Sequence, residues 1–198
     1  MAVRDFLGIV GALTFALPTA GWADMISDED MAPYEVCALC HGLDGLSAMD
    51  KFPRLAGQKP EYILKQINDF RDGRRHNDGG QMSDIVSELA PEEERVVAEW
   101  FSTQPHPIPT EISSNESDGA KLFEANGCGE CHGPTPPDGL TAPHVAAQHE
   151  AYLAKQLTEF RDGARDNDPE MVMRTRAADL SDEDIAALSA YLAGLPRE

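Results

Sequence analysis

The stretch Cys37-Ala38-Leu39-Cys40-His41-Gly42 recurs 91 residues later as Cys128-Gly129-Glu130-Cys131-His132-Gly133, and all four cysteines of the chain lie in these two hexapeptides. The likeness spreads outward from them. Tyr62, Lys65, Gln66 and the run Phe70-Arg71-Asp72-Gly73 return as Tyr152, Lys155, Gln156 and Phe160-Arg161-Asp162-Gly163, now at an offset of 90. Asn77-Asp78 returns as Asn167-Asp168. Leu89, Glu92 and Trp100 then align with Leu180, Glu183 and Tyr191 at 91 again, so one residue is inserted between Asp168 and Leu180. Repetition at one period over a whole segment implies two copies of one small unit. Between the copies, Pro105, Pro107 and Pro109 followed by Ser113, Ser114, Asn115 and Ser117 have linker composition. The expected organisation is a first domain over 24–104, a linker over 105–117 and a second domain over 118–198.

The apolar spacing predicts an all-α fold. Ile63, Ile67 and Phe70 share one helical face, as do Leu153, Leu157 and Phe160, and Gly73 and Gly163 are placed to stop these helices. Pro91 with Glu92 to Glu94 opens the last helix of the first copy; Ser181 and Asp184 form a capping box for its counterpart. The expected buried faces are Val96, Val97, Trp100 and Phe101, and Ile185, Leu188, Tyr191 and Leu192. A further helix is expected from Asp118, burying Leu122 and Phe123. No alternating apolar pattern bounded by hairpin turns predicts a sheet.

The pentapeptide C-x-x-C-H is the attachment signature of c-type haem. Two cysteines three positions apart on a helical turn face one side and can form thioethers to the two vinyl groups of a single porphyrin. The adjacent histidine then directs a ring nitrogen at the iron. Cys37 and Cys40 would hold one haem c and Cys128 and Cys131 a second, with His41 and His132 as axial ligands. A zinc site built from both pairs, a thioredoxin-like redox pair and plain disulfides are the competing readings, and none of them requires a histidine after each pair.

The repeat also suggests the opposite ligand. Met82 stands seven residues before Leu89, and Met173 stands seven before Leu180. Met171 is the rival to Met173, because the inserted residue falls in this segment. Met25, Met31 and Met49 are assigned to core filling. A thioether is a soft ligand that favours ferrous iron, so His/Met coordination implies a high potential and a closed iron that carries electrons. The carbonyls of Pro53 and Pro143, twelve and eleven residues after the two histidines, are candidate acceptors for the other ring nitrogen. Tyr62, Arg71, Tyr152 and Arg161 are assigned no site role. His76, His106, His144 and His149 lack counterparts in the other copy and are expected to be solvated or locally bonded. Lys51, Arg54 and the Arg74-Arg75 pair would form, at most, a small docking patch.

Residues 1–23 combine Arg4, an apolar run from Phe6 to Leu17, Pro18 and small residues ending in Ala23, which is a secretory signal layout. The run is short for a membrane span, which needs about 20 apolar residues. Cleavage near Ala23 and export to an oxidising compartment are expected. With 35 acidic and 16 basic residues the formal charge is −19, which disfavours nucleic acid or anionic lipid as a partner and suits a cationic one. Aromatic residues make up 7% of the chain, thin filling for two small cores, so a cofactor is expected to complete them.

Taken together, the opening CALCHGLDG, the run PRLAGQKPEYILKQINDFRDGRR, the later methionine and the closing LSDEDIAALSAYLAGL resemble the dihaem cytochrome c4 family of class I c-type cytochromes, over about residues 31–195. The resemblance implies two tandem class I cytochrome c domains, each wrapped around a covalent haem with His/Met ligation, in the bacterial periplasm. It implies one-electron carriage from a quinol-oxidising bc complex toward a terminal oxidase. By position, the haem-binding residues are Cys37, Cys40, His41 and Met82, then Cys128, Cys131, His132 and Met173. Where this chain departs from the pattern, AAQHE stands in place of the AGQKP of the first copy. The alternative is an enzyme or enzyme subunit: a dihaem peroxidase or thiosulfate-oxidising type, or the cytochrome subunit of a flavocytochrome c sulfide dehydrogenase. Any flavin would belong to a partner, since the chain lacks a Gly-rich nucleotide fingerprint.

Overall fold

Helix α2 (Pro60–Arg71) begins on a proline, whose missing N–H costs nothing in a first turn. It buries Ile63, Ile67 and Phe70 and ends as Gly73 takes a φ of +70°. Its counterpart α7 (Glu150–Arg161) buries Leu153 and Phe160. In this computed structural model the described residues are 31–110, 116–133 and 141–197. The expected export signal, over 1–23, lies outside them, as does Met25.

The first copy consists of α1 (Glu35–His41), α2, α3 (Gln81–Ser87) and α4 (Glu93–Ser102). The second consists of α5 (Glu116–Ala125), α6 (Gly129–His132), α7, a 3-10 turn at Pro169–Met171, α8 (Val172–Ala177) and α9 (Asp182–Gly194). The described residues contain no strand. Each copy packs its long helix against the two that follow: α2 on α3 and α4, α7 on α8 and α9. Ile63, Ile67, Phe70, Val86, Leu89, Val97, Ala98 and Phe101 make the first core. Phe160, Ala177, Leu180, Ile185 and Leu188 make the main part of the second, with Leu153, Leu192 and Ala193 beside them.

Local expectations hold with small corrections. Ser181 and Asp184 form the reciprocal capping box at α9. Pro91 lies in the turn before α4, which starts at Glu93, because the Glu93 carboxylate folds back to accept the Ala90 N–H at 2.8 Å. Helix α5 starts at Glu116, two residues ahead of Asp118. Val96 is exposed, since Val97 and Phe101 already fill the face that α4 turns inward. Met31 and Met49 are exposed as well, so neither fills a core.

Residues from Ala32 onward form one compact unit, in which the two copies make reciprocal contacts. The buried Arg75 guanidinium donates to Gln66 of its own copy at 2.8 Å and to Gln156 and Tyr152 of the other at 2.9 and 3.1 Å. Arg165 does the reverse, reaching Gln156 at 2.6 Å and then Tyr62 and Gln66 at 3.2 Å each. Each guanidinium also lies over a phenyl ring of its own copy, Phe70 or Phe160, at 4.6 and 4.5 Å from the ring centre. Arg75 is therefore a buried interface residue and no part of an exposed docking patch.

Candidate functional site

Helix α1 carries Cys37, Cys40 and His41 on one turn, and Gly42, with φ +78°, closes it by donating its N–H to the Ala38 carbonyl. In the second copy Cys128 is the N-cap of α6, and Cys131 and His132 follow within it. All four cysteines are unpaired. Among the described residues no group of three or more His, Cys, Asp or Glu side chains gathers in a metal-binding cluster, so the two cysteine pairs do not converge on one zinc site.

Both histidines are held by the expected prolines. His41 Nδ1–H donates to the Pro53 carbonyl at 2.9 Å, and His132 Nδ1–H donates to the Pro143 carbonyl at 2.9 Å. This fixes the tautomer and leaves each Nε2 lone pair free for a metal. Burial lowers the pKa of both imidazoles, and the carbonyl bonds only partly offset it, so both rings are neutral at pH 7, the form that ligates. Burial likewise pushes the Cys37 thiol up to about 11 and raises that of Cys128. Both thiols are therefore uncharged at pH 7. The donor set fits haem c: two thiols and one imidazole per turn, the imidazole already oriented.

The segments carrying the candidate methionines share a backbone conformation. In the first copy Gly79 and Gly80 take φ values of +74° and +91°, and Gly80 caps α3, with Met82 two residues on. The positions 91 later, Glu170 and Met171, take φ values of +54° and +58°, and Met171 caps α8, with Met173 two residues on. The inserted residue thus leaves the approach to α8 shaped like the approach to α3. Met82 packs half-buried on the first core and Met173 on the second, while Met171 is 56% exposed.

A second set of contacts crosses between the copies beside the histidine anchors. Gln148, buried, accepts the Arg54 N–H at 2.8 Å and donates to the Arg54 carbonyl at 2.9 Å. Gln58, also buried, accepts the His144 N–H at 2.8 Å and donates to the His144 carbonyl at 2.9 Å. Three histidines expected to be solvated or locally bonded make long-range contacts instead. His149 Nε2 bonds the Ser47 carbonyl at 2.8 Å, His106 Nδ1 bonds that of Arg197 at 3.1 Å, and His144 pairs with Gln58 through its backbone. Arg54 is likewise drawn inward, donating to the Ala147 carbonyl at 2.8 Å. Gln58 and Gln148 match at the repeat offset, as do Arg75 and Arg165, and that was the one signal in the sequence that could have marked these interface residues.

A helical chain bearing two Cys-x-x-Cys-His turns, each histidine locked on a proline carbonyl, has the build of a c-type cytochrome. The cytochrome c family model matches residues 116–196. Cytochrome c4 of Pseudomonas aeruginosa is 37% identical, covering 93% of this chain and 96% of its own. The crystal structure of reduced recombinant cytochrome c4 from Pseudomonas stutzeri superposes with a TM-score of 0.72 at 38% identity, over 81% of this chain and 93% of that one. A thiosulfate dehydrogenase electron acceptor of Stutzerimonas stutzeri is 37% identical, over 80% of this chain and 78% of its own. The chain belongs to the cytochrome c4 family, whose members carry electrons on covalently bound haem c.

Proposed function

We propose that this chain is an exported, periplasmic dihaem electron carrier. One haem is held by Cys37, Cys40, His41 and Met82, and the other by Cys128, Cys131, His132 and Met173. The single observation that carries this reading is the pair of equivalent anchors, His41 on Pro53 and His132 on Pro143, each behind its own cysteine pair. When bound, each haem supplies a one-electron iron couple. The chain's own part would be to orient each imidazole and to offer a thioether, that of Met82 or Met173, held against an apolar cluster. We read the organisation as a signal over 1–23, cytochrome domains over 24–104 and 118–198, and a linker between.

Among the described residues no helix is long and apolar enough to cross a membrane. The net charge of −19 steers the protein toward cationic docking faces on its donor and acceptor, a bc complex and a terminal oxidase in this reading. Intact mass spectrometry of the exported protein tests it: two haem adducts on a chain starting near Asp24 are expected, and one adduct or none overturns it. A stopped-flow reduction rate that falls with added salt is expected for the steering. The similarity to a thiosulfate dehydrogenase electron acceptor supports a second reading, in which that enzyme is the donor. Rapid reduction by thiosulfate in the presence of such a dehydrogenase would favour it over the bc complex.

A further inference from the structure

The Pro53 carbonyl that receives the His41 ring N–H belongs to the same peptide group as the Arg54 N–H, and that N–H is bound by Gln148 of the other copy. The arrangement is reciprocal. The Pro143 carbonyl holds His132, and the N–H of the same peptide group, that of His144, is bound by Gln58. We infer that Gln148 and Gln58 are crossed positioning residues: the side-chain amide of each copy sets the electron-donating strength of the histidine ligand in the other. The inference rests on His41 and His132 being the iron ligands.

The physical route is short. A peptide group whose N–H donates to a good acceptor gains charge on its carbonyl oxygen, because hydrogen bonds in series polarise one another in a low-dielectric interior. A more negative Pro53 oxygen pulls harder on the Nδ1 proton, gives the imidazole more anionic character and makes it a stronger donor to ferric iron. The glutamines are firmly placed for this. Gln148 Oε1 also accepts the His149 N–H at 3.0 Å, and Gln58 Oε1 the Lys59 N–H at 3.1 Å. Both side chains are almost fully buried, at 4% exposure each, so water cannot replace them without repacking. A contact serving only to glue the copies together could fall on any pair of backbone residues. This one falls, twice, on the residue directly after the proline that anchors the histidine.

Substitution by methionine keeps length and bulk while removing the acceptor. In Gln148→Met the haem on His41 should become easier to reduce, its ferrous-to-ferric ratio at fixed ambient potential rising about threefold, while the haem on His132 stays put. At 59 mV per tenfold for one electron, that is about 28 mV. Gln58→Met should do the converse. Potentials are read by spectroelectrochemistry of the dihaem protein and assigned through the ring N–H resonances of His41 and His132, which follow the iron each is bound to. The His41 ring N–H should also move to higher field in Gln148→Met, as its hydrogen bond weakens. A shift of both haems together, a shift confined to the glutamine's own copy, or no shift would overturn the inference. Wild-type hydrogen exchange gives a reading that needs no variant: the Arg54 and His144 amides should be protected for hours, and exchange at loop rates would refute the contacts. Hyperfine-shifted His41 and His132 ring protons in the ferric protein report the ligation itself. Their absence means the ligand reading has failed; their presence without the crossed shift means this inference alone has failed.

Discussion

His41 is 5% exposed and spends its one ring proton on Pro53, so the rest of its chemistry is confined to Nε2. In the second copy, equally local features favour Met173 over Met171 as the proposed ligand opposite His132. Glu170 and Met171 sit at positive φ without being glycine, a strain of roughly 1–2 kcal/mol per residue that the first copy avoids with Gly79 and Gly80. Met171→Gly is therefore expected to raise stability by about 1 kcal/mol and to leave the far-red methionine-to-iron band intact. Met173→Ala should remove about half of that band, and Met82→Ala the other half. Loss of half the band in Met171→Gly would reverse the ligand assignment. Part of this scale was legible beforehand: the two Cys-x-x-Cys-His turns and the proline carbonyls that receive both histidines follow from spacing within one turn or one loop. The long-range partners of His106, His144 and His149 were not, because nothing in a single histidine's neighbours along the chain says which distant group it will meet.

Helix boundaries follow local chemistry, and helix contacts follow packing. The capping box at Ser181 was readable because all its partners lie within four residues. Gly119 was not singled out, yet it governs the contact between α5 and α9. A Cβ there would lie 2.2 Å from the Ala187 carbonyl oxygen and 2.5 Å from Tyr191 Cβ, so only glycine lets the two helices come this close. Gly119→Ala is expected to push α5 off α9 and lower stability by about 1–3 kcal/mol despite alanine's better helix propensity. Thermal unfolding of the holoprotein checks this, and a stabilised variant would show that the crossing can relax. Val96 shows the converse limit: periodicity alone cannot tell which of two adjacent valines faces the core when a helix presents a narrow buried stripe.

Across the whole molecule, the interface between the copies contributes to the response to acid. Burial, helped by the nearby Arg197, Lys59 and His106, pushes His144 down to about 4. Between pH 6.5 and about 4 the unfolded chain therefore binds a proton at this position that the folded chain refuses. The stability that neutral His144 contributes is complete above pH 6.5 and is lost as pH falls through that window. At Asp69, burial favours the neutral form, but hydrogen bonds from Lys65, Asn167 and Arg74 outweigh it and hold the carboxyl below its usual range. Its contribution lasts to lower pH and goes only beneath the ordinary aspartate value. Denaturant midpoints should fall from pH 7 to pH 4, and His144→Gln should flatten that slope; identical slopes in the two proteins would remove His144 as its source.

The haem-attachment signature and the helical, duplicated build of this chain could be had from residue order, because a Cys-x-x-Cys-His turn, a capping box and helix periodicity all involve groups close together along the backbone. The joining of the copies could not. Gln58 reaches a residue 86 positions away and Gln148 one 94 positions away, while Arg75 and Arg165 exchange partners about as distant. Such pairings exist only once two folded units have docked, since it is burial on docking that leaves those polar groups no partner but each other.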